Sequence, residues 1–120
     1  MNAQFMKHRD YIVFKKLIDE VKMAQDLIGD MSMESFCADE RTKRAVSMTV
    51  VNIGELVKTL TDEIRTQHKD VAWKEAAGFR DVAAHKYMTL DMGDVYKTIK
   101  EDFPVFLEKL NKIYTEASDE

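Results

Sequence analysis

The chain has 120 residues, of which 45% are hydrophobic and 33% are charged, and its formal net charge is −4. Its length predicts one domain, residues 1–120, and its four glycines and one proline are too few for a β-sandwich, a barrel or a disordered linker, which leaves an all-helical domain. The negative charge argues against broad nonspecific nucleic-acid binding, but segment 101–120 carries all of it, so a local basic site elsewhere stays open.

The first predicted element is a helix over residues 7–28. Apolar side chains recur in it at steps of three and four residues, the spacing of one helical face. These are Tyr11, Phe14, Ile18, Val21 and Ile28. Gly29 supplies the stop signal, because glycine readily adopts the conformation that ends a helix.

Residues 30–39 mix serine and aspartate with apolar side chains, which indicates a connector. Phe36 is expected to plug into the core, and Asp39 is a good N-cap for the next helix. That helix is predicted over residues 40–67 with one stripe facing the core. The stripe comprises Ala45, Met48, Val51 or Asn52, Glu55 or Leu56, Thr59 and Ile64.

A third helix is expected to begin after Asp70. Its apolar positions are Trp73, Ala76, Ala77, Val82, Ala83 and Ala84. We expect Trp73 in the core or at a dimer interface rather than as a platform for stacking bases. Gly78 interrupts this helix at a cost of about 1 kcal/mol relative to alanine, which suggests a close backbone approach or a local break.

The last helix is predicted to open at Asp91, whose carboxylate can cap it. Pro104 is expected either to kink this helix or to start a new one. The chain is therefore predicted to fold as an antiparallel up-and-down bundle of four helices, or five if Pro104 separates two.

Cysteine and histidine usage narrows the class of protein further. The lone Cys37 excludes an internal disulfide, and the histidines lack zinc-ligand spacing, so we expect no metal, no cofactor and a cytoplasmic location. The longest uncharged stretch, residues 45–54, is about half of the ~20 residues that a membrane span requires. The charged N-terminus lacks the apolar region of a signal peptide, so we expect neither export nor a membrane partner.

Segment 78–87 concentrates a guanidinium, a carboxylate, an imidazole, an ammonium and a phenol. They belong to Arg80, Asp81, His85, Lys86 and Tyr87. On a continuous helix Asp81 can hold one ring nitrogen of His85 and leave the other for proton transfer. Arg80 and His85 lie about 140° apart around such a helix, so acting on one phosphate requires a break near Gly78 or a second copy of the chain. On spacing alone, a solvated helix face is the commoner meaning of such a pattern.

The spacing Arg80-x4-His85-x-Tyr87 resembles the R-x4-H-x-Y signature of the HepT-like branch of the HEPN superfamily. These are small helical proteins usually encoded beside a minimal nucleotidyltransferase in prokaryotic toxin–antitoxin pairs. The resemblance covers most of the chain after about residue 36. The further matching segments are Phe36 to Asp39, Arg41-Thr42-x-Arg44-Ala45-Val46, Asn52-Ile53-Gly54-Glu55, Trp73-x-Glu75, and Asp91 through Glu101-Asp102-Phe103-Pro104.

The resemblance implies the toxin of a type VII-like toxin–antitoxin pair, an endoribonuclease. Arg80 and His85 match the family's ribonuclease pair, and Asp81 matches the polar position after the arginine. Tyr87 matches the tyrosine that a partner nucleotidyltransferase of the MntA type modifies with AMP, which silences the toxin. Lys86 stands where a small residue is common, and Ala83-Ala84 where larger aliphatic residues are frequent. Lys86 could add phosphate affinity or alter the partner's access to Tyr87.

The side chains suit metal-independent RNA cleavage, which needs a base, an acid and a cation at the phosphate. His85 can serve as base or acid, and Arg80 can clamp phosphate oxygens. Since one imidazole cannot easily make both proton transfers, a homodimer bringing two motifs to one cleft is predicted. Glu55 either hydrogen-bonds the motif arginine or is simply an exposed acid. The alternative function is a non-catalytic adaptor that presents a nucleotide or substrate to the nucleotidyltransferase.

Overall fold

The computed structural model describes residues 4–119, which form an all-helical bundle with a short strand pair, and the predicted fold class is confirmed. The elements are β1 (Gln4–Met6), α1 (His8–Ile28), α2 (Met33–Ala38), α3 (Glu40–Thr59), α4 (Asp62–Gln67), α5 (Trp73–His85), a 3₁₀ turn (Tyr87–Thr89), α6 (Met92–Lys97), a π turn (Thr98–Asp102), α7 (Phe103–Glu116) and β2 (Ala117–Asp119). The strands pair in parallel and were not predicted, because three residues are too few for a periodic signal.

The predicted helix ends that carry a clear capping or stop residue are confirmed. Helix α1 ends at Gly29, which has a φ of 50°, a conformation that glycine adopts without a steric penalty. The side chain of Asp39 caps α3 by accepting a hydrogen bond from the Thr42 amide at 3.0 Å. The predicted connector contains the short helix α2, which places Phe36 fully in the core as expected.

The predicted helix over residues 40–67 is wrong in its length, because α3 ends at Thr59. Asp10 of α1 is buried and accepts hydrogen bonds from the backbone amide and the hydroxyl of Thr61, at 3.0 and 2.6 Å. In a continuous helix that amide would bond to the carbonyl of Val57 instead. The Thr61 hydroxyl then caps α4, so a contact from a distant helix divides the predicted element in two.

The predicted stripe is right only in part, because Ile64 is buried and Val51 and Leu56 pack against the core. The fully buried apolar side chains of α3 are those of Val46, Val50, Ile53 and Val57, about one residue away from the predicted positions. Predicted positions such as Met48, which is 60% exposed, lie on the other side of the helix. Helix α3 packs against both α1 and α5, so its apolar surface is wide and two stripes fit the same periodicity.

Helix α5 runs without a break through Gly78, and no atom lies within 4 Å of where a Cβ on Gly78 would be. Both suggestions made for Gly78 are therefore wrong. Trp73 is a core residue, as predicted, with its ring edge-on to Phe14 and Phe106. Val82 and Ala84 are exposed rather than buried, so α5 has a narrower core face than its alanine-rich sequence suggests.

The C-terminal segment begins as predicted, with the Asp91 carboxylate accepting bonds from the amides of Gly93 and Asp94. Helix α6 leads through the π turn directly into α7, where Pro104 occupies the second position. Since proline lacks an N–H and crowds the preceding turn, the wider π turn accommodates it within one helical run.

Candidate functional site

Helices α3 and α5 pack antiparallel, and Arg80 and Asp81 lie at their contact. The helices approach closely at Gly54, where an added Cβ would overlap the Cβ of Arg80 and lie 2.6 Å from its Cγ. Only glycine leaves room for the Arg80 stem against the backbone of α3. The close approach assigned from sequence to Gly78 therefore occurs at Gly54, on the opposite helix.

The guanidinium of Arg80 is held by carboxylates on both helices. Its Nε lies 2.5 Å from Oε1 of Glu55, a close ion pair whose N–H does not point along the contact. Its Nη1 donates to Oδ1 of Asp81 at 3.0 Å. The side chain is 22% exposed. Glu55 is itself about half exposed, and it meets the motif arginine through this ion pair rather than through a hydrogen bond. The remaining guanidinium N–H groups are left for other partners.

Asp81 contacts different residues from those that the helical spacing predicts. Its carboxylate accepts a hydrogen bond from Lys58 of α3 at 3.0 Å, in addition to the one from Arg80. These two hydrogen bonds lower the pKa of Asp81 below its ordinary 3.8, and the bond from Lys58 contributes most. No hydrogen bond joins it to His85 among the described residues, so the predicted Asp81–His85 contact is wrong. The cations nearby hold Asp81 on the α3 side instead.

His85 and Lys86 lie at the C-terminal end of α5 and are both exposed. His85 is the last helical residue, and the backbone of Lys86 closes the helix by donating to the Val82 carbonyl. The carbonyl of Lys86 accepts from the amide of Thr89, which begins the following turn. His85 is therefore open to solvent and can meet a molecule that docks at this end of the helix.

Tyr87 opens the 3₁₀ turn and contacts the N-terminal end of α3. Its hydroxyl donates to Oε2 of Glu40 at 2.9 Å, and the Arg44 guanidinium lies 5.1 Å from its ring centroid. Partial burial, followed by the hydrogen bond to Glu40, raises the pKa of the Tyr87 phenol. Sequence reasoning assigned no role to Glu40 or Arg44, or to Lys58. These three residues could have been identified only by predicting that α3 and α5 pack antiparallel.

A shallow cleft of about 360 Å³ lies between α3 and α5 beside Tyr87. It is lined by Arg44, Ser47, Met48, Val51, Ala83, Ala84 and Tyr87. A larger cleft of about 650 Å³ lies between α5 and α7 and includes Phe79 and Phe106, but none of Arg80, His85 and Tyr87 lines it. We therefore place the candidate site at the smaller cleft, because Tyr87 and Arg44 line it, whereas Arg80, Asp81 and His85 lie outside its lining.

Two further observations bear on the kind of site. In the part of the chain that the structure describes, no three His, Cys, Asp or Glu side chains lie close enough together to hold a metal ion. Among residues 4–119, none of the helices combines the length and the apolarity needed to cross a bilayer.

Comparison with known proteins identifies the family. The sequence profile described as "Ribonuclease HepT-like" matches residues 17–113, which is most of the chain and includes the whole candidate site. The chain belongs to the HepT-like family. The predicted family resemblance is thus confirmed, and the HepT-like match extends earlier in the sequence than the motifs that suggested it.

Relatives from three prokaryotes are similar over most of their length. The "Probable ribonuclease HepT" of Thermococcus cleftensis is 28% identical over 106 residues, covering 88% of this chain and 94% of the relative. A candidate RNase of Methanocaldococcus jannaschii is 32% identical over 117 residues, covering 95% and 99%. A candidate RNase of Caldanaerobacter subterraneus subsp. tengcongensis is 31% identical over 97 residues, covering 81% and 87%. No solved structure matches the chain significantly.

Proposed function

We propose that the protein is a metal-independent endoribonuclease that works as a homodimer, with Arg80 and His85 as its catalytic residues. The family match to proteins named as ribonucleases supports the reaction class. The observation that carries the dimer is the unbroken α5, because it keeps Arg80 and His85 about 140° apart on one helix. A second copy is then needed to bring both groups to one phosphate.

Arg80 would bind the scissile phosphate and stabilise the charge that grows on it. Its stem is fixed against Gly54, and its head is oriented by Glu55 and Asp81. A guanidinium held in this way needs little reorganisation when the phosphorane forms. Phosphate oxygens would bind the N–H groups that the two carboxylates leave free.

His85 would move the protons. As a base it takes the proton of the 2′-hydroxyl, whose oxygen attacks the phosphorus while the bond to the 5′-oxygen breaks. The leaving 5′-oxygen takes a proton from the second subunit's copy of the same histidine. The products are a 2′,3′-cyclic phosphate and a 5′-hydroxyl, so the chain supplies both proton transfers without a metal ion.

The regulation that we propose follows the family. The protein would be the toxin of a type VII-like pair, and a minimal nucleotidyltransferase antitoxin would silence it by attaching AMP to Tyr87. Tyr87 lines the cleft together with Ala84, which precedes His85 in the sequence, so a nucleotide attached there would lie at the end of α5 that carries His85. Lys86 would then support phosphate binding next to both.

The nuclease assignment is tested with purified protein freed of any attached AMP, as judged by intact mass, and incubated with RNA in EDTA. We expect the wild-type protein to produce cyclic phosphate ends and His85→Ala to lose this activity by roughly 10²-fold or more. His8→Ala serves as the matched control, because His8 is exposed and contacts Asp119 far from the cleft. Equal cleavage by wild type and His85→Ala would refute the assignment of His85.

The net charge of −4 favours a second candidate, an adaptor without activity that presents a nucleotide or substrate to the nucleotidyltransferase. Expression of the chain alone in a bacterium separates the two functions. A toxin arrests growth and loses that effect with Arg80→Ala, whereas an adaptor leaves growth unchanged in both forms.

A further inference from the structure

Two side chains of α3 to which the nuclease mechanism gives no role contact Tyr87, one at its hydroxyl and one over its ring. The hydroxyl donates to Glu40 at 2.9 Å, and the Arg44 guanidinium lies over the ring. Glu40 and Tyr87 are 47 residues apart, so only the antiparallel packing of α3 and α5 brings them together. An acceptor and a cation therefore converge on one phenol.

Two cations pair with the carboxylate that faces this phenol. Nε of Arg44 lies 2.7 Å from Oε2 of Glu40, and Nζ of Lys43 lies 3.3 Å from Oε1. The hydrogen bond from Tyr87, together with these two cations, lowers the pKa of Glu40. Burial and the same hydrogen bond raise the pKa of Tyr87, so at neutral pH a protonated phenol points at an ionised carboxylate.

We propose that Glu40 accepts the proton of Tyr87 when the phenol oxygen attacks a nucleoside triphosphate, and that Arg44 then binds the phosphodiester that forms. This inference rests on the proposed modification of Tyr87, and it assigns part of that chemistry to the modified chain itself. Glu40 touches the reacting oxygen and is a catalytic residue of the transfer.

The Tyr87 oxygen forms a bond to the α-phosphorus of the triphosphate, the bond to the bridging oxygen of the β-phosphate breaks, and pyrophosphate leaves with the electron pair. The phenol proton passes to Oε2 of Glu40. It moves late, because a free phenol holds its proton far more tightly than a carboxylate does and becomes acidic only as the O–P bond forms.

Proton transfer also frees Arg44. Once neutral, the Glu40 carboxyl no longer forms a full ion pair with Arg44, whose guanidinium can turn to the anionic oxygens of the new phosphodiester. The side chain that stacks on the tyrosine before the reaction is then the one that retains the product.

The test measures the rate at which AMP adds to Tyr87, by intact mass, with the neighbouring nucleotidyltransferase and ATP between pH 6 and 9. For the wild-type protein we expect that removal of the Tyr87 proton adds no pH dependence to the rate, because Glu40 stays ionised over this range. Glu40→Gln should be slower by roughly 10²-fold and should speed up about tenfold per pH unit, since solvent must now remove the proton. Glu40→Asp should recover part of the rate and the flat profile.

Two further variants distinguish the loss of the Glu40 base from a change of net charge and from the loss of Arg44. Glu34→Gln removes the same charge from an exposed side chain of α2 and should react at the wild-type rate. Arg44→Gln should react more slowly but keep the flat profile, and a steep profile in this variant would contradict the division of roles. Thermal melting of each variant by circular dichroism verifies that it is folded.

Failure of the inference and failure of the proposed function give different results. If the wild-type protein gains AMP at Tyr87 and Glu40→Gln gains it at the same rate, Glu40 has no catalytic role and the modification stands. If the wild-type protein gains no mass at Tyr87, the proposed regulation and the inference both fall.

Discussion

At the scale of single residues, Gly54 decides how the candidate site is built. The backbone of α3 and the stem of Arg80 are so close there that no other residue fits without movement. The neighbouring Glu55 then meets the guanidinium at 2.5 Å. A residue without a side chain thus positions the proposed phosphate-binding group.

We predict that Gly54→Ala destabilises the protein by about 1–3 kcal/mol, as overpacking in a tight contact usually does. The added methyl group must push α5 away from α3, because the Cβ of Arg80 cannot rotate out of the way. Urea unfolding at neutral pH measures the change.

Gly78→Ala is the matched control. Gly78 lies in the same helix pair with open space around it, so alanine should stabilise α5 by about 0.5–1 kcal/mol. Changes of the same sign in both variants would contradict the close approach at Gly54.

At the scale of elements, the break between α3 and α4 depends on one buried carboxylate. Asp10 is 2% exposed and accepts two hydrogen bonds from Thr61. We predict that Asp10→Ala costs about 1–3 kcal/mol, because it leaves the amide of Thr61 buried without its partner. Asp26→Ala, an exposed change on the same helix, should stay within about 0.5 kcal/mol of wild type in the same unfolding experiment.

The ion pairs between α3 and α5 predict a dependence of stability on pH. The pKa of Asp81 is lower in the folded protein than its ordinary 3.8, owing first to Lys58 and then to Arg80. The ionised carboxylate therefore stabilises the fold above pH 3.8, and this contribution disappears as the pH falls through the lower, folded-state pKa.

Asp81→Asn should consequently be less stable than wild type at pH 7, and the difference should shrink towards pH 2. Urea midpoints over that range measure it, with Asp30→Asn as the exposed control. A difference that stays constant with pH would show that the ion pairs contribute nothing through ionisation.

At the scale of the whole molecule, the proposed nuclease site belongs to two chains. Sedimentation should show a dimer at micromolar concentration, and a monomer would contradict the proposal. Mixing wild-type protein with His85→Ala under conditions of subunit exchange tests the second chain directly. Each mixed dimer retains one histidine and lacks either the base or the acid, so we predict that RNA cleavage falls with the square of the wild-type fraction. A fall in simple proportion to the wild-type fraction would show that the two histidines do not act on one phosphate.

Much of the fold follows from signals that act within one helical turn. The limits of α1, the caps at Asp39 and Asp91 and the stop at Gly29 depend on hydrogen bonds between near neighbours, so the sequence determines them by itself. The spacing of Arg80, His85 and Tyr87, together with the other matching segments, predicted the family in the same way, and the profile match confirmed the family.

Only the tertiary structure decided which side chains pair with each other between distant parts of the chain. Asp10 ends α3 from another helix, Lys58 takes the Asp81 carboxylate, and Glu40 receives the Tyr87 hydroxyl. Each of these partners is more than 20 residues away along the chain. The Lys58–Asp81 and Glu40–Tyr87 contacts depend on how α3 and α5 cross, where Gly54 lets the two helices approach closely, and no local periodicity records that crossing.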